Sequence, residues 1–163
     1  MHIRKARQTD VDVMTQLAMR SKASHGYDLA FMEACRDELR IDQQALAGRD
    51  LWVAETDEAG IIGFFGLWPP ENSISEVDPM FVEPGYQGRG IGRALWTRLE
   101  FRARKAKAIK MQLDADPNAV RFYERMGCVV TGEAPSGSIA GRVLPRMEKE
   151  LTESSERTPS RKS

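Results

Sequence analysis

The sequence predicts one α/β domain, and three observations support that prediction. Apolar residues recur along the chain alternately with the spacing of an amphipathic helix and with that of a β-strand. Residues 61–68 are apolar almost throughout, which indicates a central strand covered on both faces. A length of 163 residues, of which 41% are hydrophobic, suits a single compact domain with one core.

The first part of the chain is predicted to form one strand and two helices. Residues 3–7 are the strand candidate. Thr9 and Asp10 cap a helix that carries four apolar residues on one face, namely Val11, Met14, Leu17 and Ala18. Asp28 caps a second helix, on which Phe31, Cys35 and Leu39 recur at four-residue spacing. Cys35 is therefore interpreted as a small core residue and not as a nucleophile.

Three strands are predicted next. Residues 51–56 and 61–68 form two strands joined by a turn at 57–60, and a third strand covers residues 73–82. Pro79 lies inside this third strand and has no backbone N–H to donate to a neighbouring strand. The third strand is therefore expected to be bulged or unpaired on one side at Pro79.

The second half of the chain is predicted to alternate helices and strands. In order these are a helix over residues 89–107, a strand over 110–115, a short helix over 117–126, and strands over 128–133 and 142–151. Asp116 caps the short helix and Gly127 ends it. Residues 152–163 are polar throughout, so we expect a frayed tail after a single domain over residues 1–151.

The composition excludes several classes of protein. Lys plus Arg and Asp plus Glu number 24 each, so no net field attracts nucleic acid or a membrane surface. No apolar run approaches the roughly 18 residues of a membrane span, and the N-terminus lacks the apolar region of a signal peptide. We therefore expect a cytoplasmic protein with two reduced cysteines. No metal is expected, since Asp114 and Asp116 have no further ligands clustered around them.

The most informative segment is residues 82–95, where a strand runs into a glycine-rich turn and then a helix. Gly88, Gly90 and Gly92 allow several backbone N–H groups to converge on one ligand, and the positive end of the helix dipole points to the same place. Arg89 and Arg93 add formal charge. The segment predicts a pyrophosphate-binding site, and its spacing fits neither a P-loop nor the dinucleotide-binding fingerprint.

The order of residues in this turn resembles that of a known family. Residues 87–92, Gln-Gly-Arg-Gly-Ile-Gly, resemble the Gln/Arg-x-x-Gly-x-Gly/Ala signature of the GNAT superfamily of acyl-CoA-dependent N-acetyltransferases. Residues 122–127 are similar to its Phe-Tyr-x-x-x-Gly segment, and residues 142–148 to its last strand. The resemblance covers residues 3–151 and implies the GNAT fold. That fold is a mixed, mostly antiparallel sheet of six to seven strands, with helices on both faces and a splayed strand pair that binds acyl-CoA.

The resemblance implies acetyl-CoA as the acetyl donor. Its pyrophosphate would contact the turn at Gln87, Gly88, Arg89, Gly90, Ile91, Gly92 and Arg93. Its pantetheine arm would pair with the backbone of Met80, Phe81 and Val82, whose N–H groups would also polarise the thioester carbonyl. Many members carry Asn seven residues before the tyrosine, where this chain has Asp116, so Asn118 is the candidate for a cofactor contact here.

Acetyl transfer requires an acid for the leaving thiolate and a base for the attacking amine. The resemblance implies Tyr123 as the general acid, since a phenol with a pKa of about 10 stays protonated at neutral pH. Glu76 is the candidate base, acting directly or through water, and Asp78 shares its face by strand alternation. The sequence leaves the base open between Glu76, Asp78 and solvent.

The predicted function is acetyl transfer from acetyl-CoA to a primary amine by direct attack in a ternary complex. The alternative is a non-catalytic domain that binds or senses acyl-CoA. By the resemblance, His25, Tyr27 and Trp68 are the candidates for binding the acceptor, which is a small-molecule or peptide amine. Neither nucleic acid nor a membrane is expected as a partner, and the expected assembly is a homodimer.

Overall fold

The structure, a computed structural model, describes residues 1–151, with Pro79 described by its backbone alone. The strands in this part of the chain are β1 (His2–Lys5), β2 (Asp50–Thr56), β3 (Gly60–Leu67), β4 (Ile74–Val82), β5 (Lys110–Asp114), β6 (Val129–Pro135) and β7 (Val143–Glu150). The α-helices are α1 (Val11–Ala23), α2 (Leu29–Leu39), α3 (Gln43–Gly48), α4 (Ile91–Lys105) and α5 (Val120–Arg125). None of these helices has the length and apolar content that crossing a membrane requires. The predicted tail at 152–163 lies outside the described residues.

The strands form one sheet in the order β1-β2-β3-β4-β5-β7-β6. Every neighbouring pair is antiparallel except β4 and β5, which are parallel. The predicted mixed, mostly antiparallel sheet is therefore confirmed, with seven strands.

The helices cover both faces of the sheet, as predicted. Leu17 of α1 packs into a buried cluster with Phe64 on one face, and Leu95 of α4 packs with Phe65 on the other. β3 supplies side chains to both clusters, which is why its sequence is apolar almost throughout. Fully burying one such side chain contributes roughly 1.5–3 kcal/mol, so this strand anchors both layers of helices.

β4 and β5 pair over only a short stretch, in which residues 74–76 face residues 110–112. β4 continues to Val82, but β5 pairs with none of its residues from 77 to 82. On its other edge β4 is bulged against β3. The paired residues Phe64–Phe81 and Gly66–Asp78 are two positions apart along β3 but three positions apart along β4. The bulge includes Pro79, so the predicted irregularity at this residue is confirmed.

The structure adds one helix to the predicted order and changes the role of one capping residue. α3 was not predicted, although Asp42 gave a signal: its side chain accepts a hydrogen bond from the Ala45 N–H at 2.9 Å. Asp10 is the N-cap residue of α1, as predicted, but its side chain accepts no hydrogen bond from that helix. Its carboxylate instead accepts from the Arg7 N–H at 2.7 Å and pairs with Arg4 at 2.8 Å, which closes the turn before the helix.

Gly63 on β3 gives a test of the packing between the sheet and α4. An added Cβ would lie 3.0 Å from the Phe81 carbonyl oxygen and 3.0 Å from Leu95 Cδ1. We predict that Gly63→Ala lowers the free energy of unfolding by about 1–3 kcal/mol, because the backbone oxygen cannot move without distorting β4. Urea denaturation measures the change.

Gly48→Ala is the matched control for this prediction. Among the described residues, no atom lies within 4 Å of a Cβ added at Gly48, so the free energy of unfolding of this variant should stay within about 0.5 kcal/mol of the parent value. Equal losses in the two variants would contradict the steric explanation.

Candidate active site

The glycine-rich turn places bare backbone at the start of α4. Gly88 and Gly90 have φ angles of 80° and 84°, in the left-handed region that favours glycine. A Cβ added to either residue would meet no atom of residues 1–151 within 4 Å, so this part of the chain leaves the space in front of the turn open. Gly90 is the N-cap of α4, and the first turn of this helix holds no acidic residue. The turn thus presents N–H groups and a positive helix end to open space, which is the arrangement that binds phosphate.

This turn forms one side of a cleft of about 400 Å³, which we call the glycine cleft. β4 and the segment around α5 supply its other sides. Among the described residues that line it, Arg93 and Arg125 are cationic and none is an aspartate or glutamate. The glycine cleft therefore suits an anionic ligand.

The glycine cleft brings together most of the predicted cofactor residues, namely Met80, Val82, Gln87, Gly88, Gly90, Gly92, Arg93 and Asn118. Three others do not line it. The Phe81 ring lies 5.5 Å from that of Phe64, on the other side of β4, and the Arg89 guanidinium lies over the Tyr86 ring at 4.9 Å. The Ile91 side chain is buried in the core, so only its backbone remains available to a ligand.

Tyr123 on α5 lines the glycine cleft and is bonded to the open part of β4. Its hydroxyl oxygen accepts a hydrogen bond from the Met80 N–H at 3.1 Å. This bond occupies an N–H that the sequence analysis assigned to the pantetheine arm. Within residues 1–151, no group accepts the hydroxyl proton of Tyr123, so that proton is available to a ligand.

The surroundings of Tyr123 keep it protonated. Burial raises the pKa of its phenol to about 12, and the hydrogen bond from Met80 only partly offsets this rise. The group therefore remains a proton donor throughout the neutral range. Burial also raises the pKa of the Cys128 thiol to about 11, which leaves it without the thiolate that a nucleophile needs.

A second cleft, of about 270 Å³, meets the first at Tyr123. Both clefts are lined by Ser21, His25, Met80, Ala119 and Tyr123. We call the second one the acidic cleft, because its lining includes the carboxylates of Glu38, Glu76, Asp78, Asp114 and Asp116. Apolar side chains also line it, among them Leu39, Leu51 and Phe64. No cluster of metal-ligating side chains large enough to hold an ion occurs within residues 1–151.

Glu76, the candidate base, lies in the acidic cleft in a network of hydrogen bonds. Arg146 donates to Glu76 Oε1 at 3.2 Å and to Asp114 Oδ1 at 2.6 Å, and Gln112 donates to Glu76 Oε1 at 3.1 Å. The side chain of Glu76 is 36% exposed, so it is anchored and still reachable from the cleft. The guanidinium balances two neighbouring carboxylates that would otherwise repel each other.

The three predicted acceptor-binding residues lie in different surroundings. His25 is exposed and lines both clefts. Trp68 lines neither, and its indole N–H donates to Asp78 at 3.0 Å. Tyr27 also lines neither cleft, because its hydroxyl is turned to Asp116 at 3.0 Å. The structure thus brings only His25 next to Tyr123.

Several residues that line these clefts or pair with their carboxylates were missed by the sequence analysis. Tyr86 lines the glycine cleft and directly precedes Gln87 in the chain, so its proximity to the motif was an available signal. Arg146 and Arg49 gave no such signal. They reach Glu76 and Asp78 from β7 and from the end of α3, and these pairings follow only from the folded arrangement.

Comparison with known proteins agrees with this arrangement. The model of the acetyltransferase (GNAT) family matches residues 17–128. The peptidyl-lysine N-acetyltransferase YjaB from Salmonella typhimurium is 30% identical over 135 residues, which cover 82% of this chain and 86% of that protein.

Solved structures share the fold. A GCN5-related N-acetyltransferase from Rhodopseudomonas palustris superposes with a TM-score of 0.76 at 26% identity, over 92% of this chain and 95% of its own. YncA from Salmonella typhimurium, solved with its cofactor acetyl-CoA, has a TM-score of 0.67 at 22% identity, over 98% of each chain. The family model and the relative at 30% identity each cover most of the sequence, and the chain therefore belongs to the GNAT family of acetyltransferases.

Proposed function

We propose that this acetyltransferase moves the acetyl group of acetyl-CoA to a primary amine by direct attack within a ternary complex. The observation that carries the proposal is that the glycine cleft and the acidic cleft meet at Tyr123. A donor in the first and an acceptor in the second would bring the thioester and the amine to one hydroxyl group. A covalent acetyl-cysteine is not needed, and both Cys35 and Cys128 are buried.

The glycine cleft supports acetyl-CoA as the donor. The pyrophosphate would lie against the backbone N–H groups at Gly88 and Gly90, with Arg93 and Arg125 supplying positive charge. The amide-rich pantetheine arm would follow the part of β4 that β5 leaves unpaired. That YncA was solved with acetyl-CoA supports the same assignment.

Tyr123 is the general acid of this proposal. As the amine attacks the carbonyl carbon, the C–S bond breaks and the leaving sulfur takes the phenol proton. The Met80 N–H orients the phenol oxygen and stabilises the negative charge that develops on it. The proton returns to Tyr123 from solvent or from the protonated product before the next cycle.

The acidic cleft supports a cationic amine as the acceptor. Glu76 would take the proton of the ammonium directly or through one water, with Asp78 and solvent as the alternatives. A lysine side chain would lay its methylene stem on the apolar lining at Leu39, Leu51 and Phe64. The name of the relative YjaB, a peptidyl-lysine N-acetyltransferase, favours a peptide lysine over a small-molecule amine.

Membership of an acetyltransferase family favours this enzyme over a non-catalytic acyl-CoA-binding domain. The continuous sheet supports the proposal that residues 1–151 form one acetyltransferase domain. A cytoplasmic location and a homodimer stay predictions of the sequence analysis.

Gly90→Asp tests the position of the donor. The substitution adds a negative charge where the pyrophosphate should lie, so the affinity for CoA should fall at least about tenfold, or roughly 1.4 kcal/mol, in a calorimetric titration. Gly60→Asp is the control, because Gly60 also has a positive φ, of 73°, and no atom of residues 1–151 within 4 Å of an added Cβ, but it is the first residue of β3, beside the turn from β2. Unchanged affinity in folded Gly90→Asp protein would remove the basis for the donor assignment.

Tyr123→Phe tests the acid. We expect kcat to fall by about 10²-fold or more while CoA binding is largely kept. The Met80 N–H loses its acceptor, so the free energy of unfolding should also fall, by about 1–3 kcal/mol, and rates are compared per folded molecule. Since the phenol pKa is near 12, the parent profile should show no descending limb from this group below about pH 10. A loss of stability with kcat intact would return Tyr123 to a packing role.

Glu76→Gln tests the base with an acceptor of ordinary amine pKa. The amide keeps the shape and loses the basicity, so kcat/KM should fall about tenfold or more, and most on the low-pH limb of the parent profile. Asp78→Asn is the comparison, since Asp78 lines the same cleft and pairs with Arg49 at 2.6 Å. If Glu76→Gln leaves the whole profile unchanged, the amine loses its proton to solvent or to another group.

A further inference from the structure

A polar network beside the acidic cleft is centred on a residue to which the proposed chemistry gives no role. Its centre is Asp116, just after β5, and its other members come from separate segments of the chain. Lys22 donates to Asp116 at 2.8 Å and the Tyr27 hydroxyl donates to Asp116 at 3.0 Å. The backbone and side-chain N–H groups of Asn118 donate to Asp116 at 2.8 and 2.9 Å. Arg142 donates in turn to the Tyr27 hydroxyl oxygen at 2.8 Å.

The directions of these hydrogen bonds require a carboxylate at position 116. An ionised carboxylate accepts on both oxygens and donates nothing, whereas an asparagine would turn an NH₂ group towards one of the converging donors. Tyr27 has one proton, which it gives to Asp116, and its lone pairs are then free for Arg142. Burial would raise the pKa of Asp116, but the hydrogen bonds from Lys22 and Asn118 outweigh it and lower that pKa to about 2. Asp116 is therefore ionised at neutral pH.

The segments that this network joins are walls of the acidic cleft. Lys22 and Asp116 line it, and Tyr27 stacks on Phe31 at 4.0 Å, which fixes the α1–α2 connection onto α2. The β6–β7 loop is held at Arg142 by Tyr27 and at a second point by the hydrogen bond from Ser138 to Glu38. Gly137 of this loop also lines the cleft.

We propose that Asp116 is a positioning residue for acceptor binding: its carboxylate holds the α1–α2 connection and the β6–β7 loop in place as walls of the acidic cleft. This inference rests on the proposed function, which assigns the acidic cleft to the acceptor. Asp116 acts through Lys22 and Tyr27. Without its charge, Lys22 and Arg142 would stand as two cations beside a cleft for a cationic amine, so acceptor binding would suffer more than donor binding.

Asp116→Asn is the decisive substitution. Asparagine keeps the size of the side chain and can still accept from the Asn118 N–H, so the turn before α5 stays capped. Amide hydrogen exchange of the CoA-bound protein should become about tenfold faster in residues 22–31 and 136–142. The affinity for CoA, measured by calorimetry, should stay within about twofold of the parent value.

Two further variants separate the parts of the network. Tyr27→Phe keeps the ring stack and removes only the hydroxyl, so exchange should become faster in residues 136–142 while the Lys22–Asp116 pair stays in place. Asp28→Asn is the matched control, because Asp28 caps α2 through the Phe31 N–H at 2.9 Å and asparagine does the same. It should leave exchange unchanged in both segments.

Kinetics with Nα-acetyl-lysine amide as the acceptor probe give the functional result. In Asp116→Asn, KM for the probe should rise about tenfold while kcat changes less than about twofold, a split that a general loss of stability would not produce. Unchanged exchange in both segments, or faster exchange confined to residues 117–125, would overturn the proposal, since Asp116 would then be only a cap. The proposal would also be overturned if Asp116→Asn bound CoA more tightly while exchange stayed unchanged, because position 116 would then act on the donor side. If the parent protein acetylates no amine, the proposed function fails, and the exchange measurement still decides the role of Asp116.

Discussion

The opening between β4 and β5 is the constraint on which the rest of the site depends. β4 and β5 pair over residues 74–76 and 110–112 only, and the bulge at Pro79 interrupts the ladder that β4 forms with β3 on its other edge. The Tyr123 hydroxyl reaches the Met80 N–H at this open part of the strand. Met80 and Tyr123 line both clefts, so the two clefts meet at this opening between the strands.

The two clefts differ in charge, and that difference matches the two halves of an acetyl transfer. Arginines and bare backbone N–H groups line one, whereas the other is lined, among the described residues, by five carboxylates and by the two cations Lys22 and Arg49. The carboxylates are not left to repel each other, since Arg146 lies between Glu76 and Asp114 and Arg49 pairs with Asp78. If the proposed function holds, an anionic donor and a cationic acceptor would each meet a favourable field without a large net charge on the protein.

The parts of the site that could be predicted from the sequence are those that neighbouring residues encode. The glycine turn and the bulge at Pro79 each follow from a few consecutive residues with a clear steric or hydrogen-bonding meaning, whereas Tyr123 was identified by the resemblance of residues 122–127 to a family segment. The pairing of Arg146 with Glu76 could not be predicted, because it depends on the register of β7 on β5 and of β5 on β4. Tyr27 shows the same limit: its hydroxyl is bound to Asp116, which lies 89 positions later in the chain.

The difference in how the two clefts are assembled has a consequence for the evolution of the protein. The glycine cleft draws most of its lining from residues 80–93 and 118–126, whereas the acidic cleft collects its lining from many distant parts of the chain. Under the proposed function, the donor site would be encoded by two short segments of the chain. The acceptor site would be encoded by many loops that can change separately, so descendants of one ancestral sequence could diverge in what they acetylate while sharing the same acyl donor.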